Sequence, residues 1–247
     1  MQNIKLSARF KILAQQIANL NRPFETIADI GTDHGYLPLI LFKDNLIQKG
    51  ILCDINQGPL DNAKQTFSGT PYSQNVTFRL GSGIEPLSMG EVDLVIIAGM
   101  GGALIKEILS RDLIKTKSMK YYLLQPMTEQ DMLREWLISN GFVYLWDQFA
   151  EVQGKHYEII MVSTLESSNH LDYSCYDMPN DDLEFGLRIL ESQTDAALNF
   201  MTHKMQKYQV ILDGLSNSNK DSLHEKRDLC HKKMDKIDEI ISILKVR

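Results

Sequence analysis

Between Ile27 and Leu39 the chain reads I-A-D-I-G-T-D-H-G-Y-L-P-L, and three side chains there could do chemistry: Asp29, Asp33 and His34. A short apolar stretch runs into Gly31 and Gly35 and then into an amphipathic segment opened by Pro38, the strand, glycine loop and helix of a Rossmann-like unit. In a dinucleotide fingerprint the middle glycine lets a pyrophosphate lie against the backbone. Here that position is Asp33. Two unit charges about 4 Å apart interact by about 4 kcal/mol at an effective dielectric of 20, so this loop repels phosphate and attracts a cation. S-adenosylmethionine carries an ammonium and a sulfonium and no phosphate, and is the cofactor expected. Asp54 stands about twenty residues after the loop, where a carboxylate can accept hydrogen bonds from ribose hydroxyls, or can simply open the following turn as a turn former. Ile55, next to it, completes the edge at which the nucleoside is expected.

Three further loops complete the candidate site. Gly81-Ser82-Gly83 follows a third strand, where Ser82 could bond an adenine ring and Gly83 admit it closely, although glycines around a serine also suit an ordinary turn. Gly99-Met100-Gly101-Gly102 follows a fourth strand and would face the methyl donor. It offers a low, backbone-rich platform for a flat base, with free N–H groups at a helix start for an anion. Gln125-Pro126 ends a fifth strand, and the Gln125 amide has both the donor and the acceptor needed for a base edge. The expected catalytic set is Asp33, Gly99, Met100 and Gln125. The expected cofactor set is Asp29, Gly31, Asp33, His34, Gly35, Asp54, Ile55, Ser82, Gly83 and Gly99. Arg9, Gly101, Gly102, Pro126 and Tyr157 are expected to meet the substrate. His34 could act as a base, but a loop hydrogen-bonding role suits it better. Lys155, Tyr157 and Glu158 suit either the border of the acceptor pocket or an ordinary strand surface.

Positioning these groups requires a parallel sheet. Apolar runs at Thr26–Ile30, Gly50–Ile55, Val76–Leu80, Val92–Ala98 and Tyr121–Leu124 alternate with helical segments near 5–20, 37–47, 58–68, 101–110 and 129–140. The rhythm then changes to two strand-like runs, Phe142–Ala150 and His156–Leu165, joined by E-V-Q-G-K as a β-hairpin. A terminal antiparallel hairpin after five β/α units resembles the arrangement of class I methyltransferases, a fold-level likeness that supports a methyl-transfer reading. Residues 166–180 read as a linker. Beyond them, apolar residues recur every seven positions (Met201, Tyr208 and Leu215; Cys230, Ile237 and Leu244), the pattern of an antiparallel coiled-coil hairpin. The fold class is thus α/β, a class I methyltransferase Rossmann-like sheet with a terminal antiparallel hairpin plus a C-terminal helical coiled-coil hairpin. The domains run 1–165 and 166–247.

Composition narrows the function classes. The chain has 247 residues, 43% of them hydrophobic, and a net charge of −6 that argues weakly against nucleic acid. Local clusters run the other way: Lys5, Arg9, Lys11 and Arg22 stand without an acid in residues 1–22, and Arg111, Lys115, Lys117 and Lys120 stand against Asp112 alone. Three cysteines without metal-ligand spacing point to no disulfide framework and no metal, and neither a leader segment nor a membrane span is recognisable, so a cytoplasmic protein is expected.

The strings D-I-G-T-D-H-G-Y-L-P, I-A-G-M-G-G, L-Q-P, R-E-W-L and G-K-H-Y-E resemble the bacterial tRNA (adenine-N1)-methyltransferase family called TrmK, over essentially the whole chain. The resemblance implies methylation of N1 of adenosine 22 in tRNA from S-adenosylmethionine. Apart from the resemblance, a monomer or weak homodimer is expected. The family commonly has G-D-G where this chain has Gly81-Ser82-Gly83, and His156 stands where another residue is expected. Other readings are a methyltransferase for another RNA or a small molecule, and a non-catalytic S-adenosylmethionine-binding protein whose helices recruit a partner.

Overall fold

A computed structural model describes residues 8–20, 22–164, 183–186, 189–191, 194–216 and 223–246. Lys5 and the linker at 166–180 lie outside the described residues. Seven strands form one sheet in the order β3-β2-β1-β4-β5-β7-β6. They are β1 (Phe24–Ile30), β2 (Ile47–Asp54), β3 (Val76–Leu80), β4 (Leu94–Met100), β5 (Tyr121–Pro126), β6 (Val143–Val152) and β7 (Lys155–Ser163). The first five run parallel, and β7 pairs antiparallel with β5. The helices are α1 (Ala8–Ala18), α2 (Tyr36–Lys43), α3 (Gln57–Phe67), α4 (Gly102–Ser110), α5 (Leu113–Ser118), α6 (Gln130–Ser139), α7 (Thr194–Ser216) and α8 (His224–Val246).

The near-continuous apolar runs of β1 and β4 are what a sheet covered on both faces demands. Leu94 and Ile96 join Leu13 and Ile17 of α1, Leu37 and Leu41 of α2, and Ala63 and Phe67 of α3 in one core. Val95 and Ile97 are equally buried and alternate to the opposite face. There α4 lies against β4, β5 and α6, burying Ile105, Leu109, Leu133 and Leu137. Leu52 is fully buried under the glycine loop, and Leu52→Ala should cost about 2–5 kcal/mol through lost transfer energy and a cavity.

Element boundaries differ from the sequence expectation at several points, among them β4, which runs Leu94–Met100 rather than 92–98 and so takes in Gly99 and Met100. Helix α2 stops at Lys43, because Asp44 and Asn45 form a turn with Asn45 at φ 56°, and β2 starts early at Ile47. The basic stretch 111–120 holds a helix of its own, α5, capped by Asp112 accepting from the Lys115 N–H at 2.9 Å.

The hairpin turn is as expected. Gln153 and Gly154 have φ 53° and 74°, the two left-handed residues of a type I′ connection. The chain divides into two compact units, and the hairpin tip, Asp147–Tyr157, goes with the C-terminal helices rather than with the sheet's core. The physical reason is Phe149, whose ring lies 4.4 Å from that of Phe200, within a small core of Ala197, Met201, Ile237, Ile240, Leu244, Phe185 and Ile189. Helices α7 and α8 pack together, and the heptad positions Cys230, Ile237 and Leu244 are buried. On α7 the buried set is Ala197, Phe200, Met201 and Leu212, whereas Ile211 is exposed.

Candidate functional site at the carboxyl edge of the sheet

The strand order reverses at β1, which has β2 on one side and β4 on the other. In open α/β sheets the loops leaving such a switch point diverge, and ligands bind between them. Asp29 is the second-last residue of β1 and is buried. Thr32 Oγ1 donates to its Oδ2 at 2.7 Å. Burial pushes its carboxyl up to about 6; the Thr32 bond and the Arg9 charge pull it down, and the Asp54 charge pushes it up.

Beyond Asp29, the loop is laid against β2: the N–H groups of Gly31 and Thr32 both donate to the Cys53 carbonyl, at 2.8 and 3.1 Å. Gly31 adopts φ 73°, and a Cβ there would meet Met100 Cε at 2.3 Å. Asp33 is left-handed at φ 51° with its side chain 71% exposed, so its carboxylate projects outward. His34 Nε2 lies 3.6 Å from Asp33 Oδ1, and its ring stacks on Tyr36 with centroids 5.1 Å apart and an interplanar angle of 9°. Gly35 sits close to Leu52, Phe67 and Ala63, seating the start of α2 on the core.

Along the same edge, Asp54 ends β2 and accepts from the Asn56 N–H at 2.9 Å. Ile55 and Leu80 are 64% and 56% exposed, a short apolar shelf beside the carboxylates. Cys53 is buried and its thiol is pushed up to about 12, which keeps it protonated and inert.

The other expected site residues are used differently. Ser82 Oγ accepts from Arg111 Nη1 at 2.6 Å, so its hydroxyl is engaged within the protein. A Cβ at Gly83 would lie 2.6 Å from Ile108 Cγ2, so this glycine serves the packing of its loop on α4 rather than the approach of a base. The helix start at Gly101-Gly102 is not an open anion site. Gly102 N–H donates to Thr128 O at 2.8 Å, and Ala103 N–H donates to Glu129 Oε2 at 3.3 Å. The protein's own carbonyl and carboxylate occupy the place that was expected for phosphate.

Gln125 is completely buried. Its Oε1 accepts from Arg9 Nη1 at 2.9 Å, and its Nε2 donates to Pro126 O and Met127 Sδ, both at 3.2 Å. Its amide is therefore committed internally instead of facing a base edge. Pro126 is buried too. Arg9, expected on the tRNA, turns its guanidinium inward. Tyr157 belongs to the second unit, with the hairpin tip. Between Ala98 and Met100 the β4–β5 register shifts, with Gly99 at φ 84° as the extra residue, and such an irregularity re-aims the next side chain. Met100 is directed over Gly31.

The basic stretch is also spoken for. Arg111 binds Ser82, Glu107 and Glu85; Lys115 Nζ donates to Glu85 O; Lys117 Nζ donates to Gly141 O and lies 3.9 Å from the Phe142 ring centroid; Lys120 pairs with Asp93 at 2.6 Å. Sequence reasoning missed Thr32, Thr128, Glu129 and Leu80. Thr32, three residues after Asp29, carried a local signal; Thr128 and Glu129 acquire their role only through the β5–α6 turn.

These features sit in a recognisable framework. A family profile described as a methyltransferase domain matches residues 6–160. The chain belongs to this methyltransferase-domain family. It is 34% identical over 161 residues to the tRNA (adenine(22)-N(1))-methyltransferase of Bacillus subtilis (strain 168), a match spanning 65% of this chain and 66% of that protein, just under two thirds. The crystal structure of the B. subtilis M1A22 tRNA methyltransferase TrmK superposes with a TM-score of 0.79 at 28% identity, covering 97% of this chain and 100% of that one. M. capricolum TrmK in complex with S-adenosyl-homocysteine gives a TM-score of 0.76 at 25% identity, over 97% and 99% of the two chains. Among the described residues no group of His, Cys, Asp and Glu is arranged to hold a metal, and no helix is long and apolar enough to cross a membrane.

Proposed function

We propose that this protein is an S-adenosylmethionine-dependent methyltransferase that methylates N1 of adenosine 22 in tRNA. The observation that carries the reading is the grouping of Asp29, Asp33 and Asp54 at one switch point beside the exposed apolar Ile55 and Leu80. That edge suits a cationic, nucleoside-bearing ligand and opposes a phosphorylated one.

The residues present fit S-adenosylmethionine. Asp29 and the Gly31 loop would hold its amino-acid end, Asp54 its ribose hydroxyls, and Ile55 and Leu80 its base. When bound, it supplies a methyl group on a sulfonium that passes to an adenine nitrogen whose lone pair is already free at neutral pH. The chain therefore has no obligatory proton to remove, and positioning supplies most of the rate, roughly 7–11 kcal/mol at best. Asp33, exposed at the lip, stabilises positive charge as it moves toward the base. Gly99 and Met100 form the floor opposite. The family's acidic adenine contact is absent at Ser82, and Arg111 occupies that hydroxyl instead.

The target nucleotide has to leave its stack to reach this edge. We assign the grip on the tRNA body to the second unit, which exposes Lys207, Lys226, Lys232 and Lys245 on α7 and α8. The protein works in the cytoplasm as a monomer or weak homodimer. Tritium-methyl transfer to unmodified tRNA, with the target adenine changed to guanine as control, tests the reading. Label in the adenine-bearing tRNA alone is the expected result, and equal label in both would reject the assigned position.

A further inference from the structure

Helix α1 reaches the transfer edge through one side chain. Arg9 Nη1 donates to the fully buried Gln125 Oε1 at 2.9 Å, and the bond passes over Gly99, where a Cβ would stand 2.7 Å from the same nitrogen. Gly99 is also the irregular residue that turns Met100 toward Gly31. A bare backbone at that point thus does two things: it bends the strand end and it lets a guanidinium cross from α1 to β5.

We propose that Arg9 is a positioning residue for methyl transfer, acting through its bond to Gln125 across Gly99 and through its charge facing Asp29, and not a phosphate grip. The inference rests on the methyltransferase reading. The bond fixes the Gln125 amide, whose Nε2 in turn holds Pro126 O and Met127 Sδ. One arginine thereby sets the relative placement of the β4 and β5 ends that floor the site. A guanidinium is suited to this, since its planar fork loses little freedom per bond formed.

The second action is electrostatic. Asp29 faces Arg9 from α1, Thr32 from its own loop, and Asp54 and Cys53 from β2; its ladder neighbour on β4 is Ile96, which is apolar. Among the causes acting on Asp29, Arg9 is the only cation, and it opposes both burial and the Asp54 charge. Without it, the Asp29 carboxyl takes up a proton at higher pH and ceases to hold an ammonium.

The test compares full-length wild type, Arg9→Gln and Arg9→Lys. It measures S-adenosylmethionine binding by calorimetry at pH 6.0 and 8.5, and kcat and KM for tRNA. Helix α1 is seated by Leu13, Ala14 and Ile17, which are 0–3% exposed, so both variants should melt like wild type. Arg9→Gln should bind cofactor about tenfold more weakly at pH 6.0 but within about threefold at pH 8.5, and should lose at least about tenfold in kcat with KM for tRNA within about twofold. Arg9→Lys should restore cofactor affinity to within about threefold at both pH values while kcat stays low, because a point charge cannot reproduce the fork. A raised KM with unchanged kcat and cofactor affinity would make Arg9 a phosphate grip, and an equal affinity loss at both pH values would remove its electrostatic action; either overturns the proposal. Should Arg9→Gln melt early, Arg9→Lys decides: wild-type cofactor affinity upholds the charge, and a tenfold loss overturns it. Absence of binding by the wild type would instead reject the methyltransferase reading itself.

Discussion

Two glycine-rich segments stand at the carboxyl edge of this sheet, one after β1 and one at the end of β4. They differ in what fills the space a side chain would take: the flexible tip of Met100 in the first, a guanidinium and backbone in the second. At Gly31 the absent side chain leaves a crevice into which Met100 leans, and the next acidic residue, Asp33, stands 71% exposed. At Gly99 and Gly102 the absent side chains make room for the protein itself. Arg9 crosses the first, and the Thr128 and Glu129 backbone presses on the second, with Glu129 O 2.3 Å from where a Cβ would be. A glycine string alone does not say whether a ligand or another part of the chain comes close. The charge beside it is more informative: an outward-pointing carboxylate, Asp33, stands only at the turn proposed for the ligand.

The comparison can be broken by substituting each side in turn. Asp33→Asn keeps a residue that tolerates the left-handed backbone and removes only the charge. It should lower kcat/KM for methyl transfer by at least about 100-fold with an unchanged melting temperature. Activity near wild type would release Asp33 from the site.

Gly102→Ala is the complementary change. Its Cβ would collide with backbone that cannot swing aside, so it should destabilise the fold by about 1–3 kcal/mol in a urea titration. Cofactor affinity should hold as long as the protein stays folded.

Asp29→Asn separates stability from function within one residue. The folded carboxyl sits near 6 against 3.8 for the free side chain, so the folded chain holds an extra proton between those values. This group's contribution to stability therefore falls as pH rises through that window. Neutral asparagine should raise the stability of the ligand-free protein at pH 7 by about 1–3 kcal/mol and abolish cofactor binding. In the wild type, cofactor affinity should weaken as pH falls through about 6, as the carboxylate is lost.

The smallest effect is expected at Glu129, whose carboxylate meets the exposed start of α4 at 3.3 Å. Glu129→Gln should cost no more than about 1 kcal/mol in stability and leave methyl transfer intact.

What the sequence disclosed follows the range of the forces involved. Alternating apolar runs, the Asp33 charge and the Gln153-Gly154 turn are local signals, and each appears in the structure where expected. The uses of Gln125, Gly83 and Gly102 were not legible. They depend on partners far along the chain, Arg9 at a separation of 116 residues among them. The basic stretch misled for a related reason: its cations are matched by Glu85, Asp93 and carbonyls that composition in a short window does not count. Likewise Phe149 and His156 drew the hairpin tip into the helical unit through long-range ring contacts with Phe200 and His203.

The central claim is that the charge at the β1 edge selects a cationic cofactor. Calorimetric titration of the full-length protein with S-adenosylmethionine and with NAD, at neutral pH, tests it most directly. Saturable binding of S-adenosylmethionine, lost in Asp33→Asn, with no heat from NAD, is predicted. Tight NAD binding with no response to S-adenosylmethionine would contradict it.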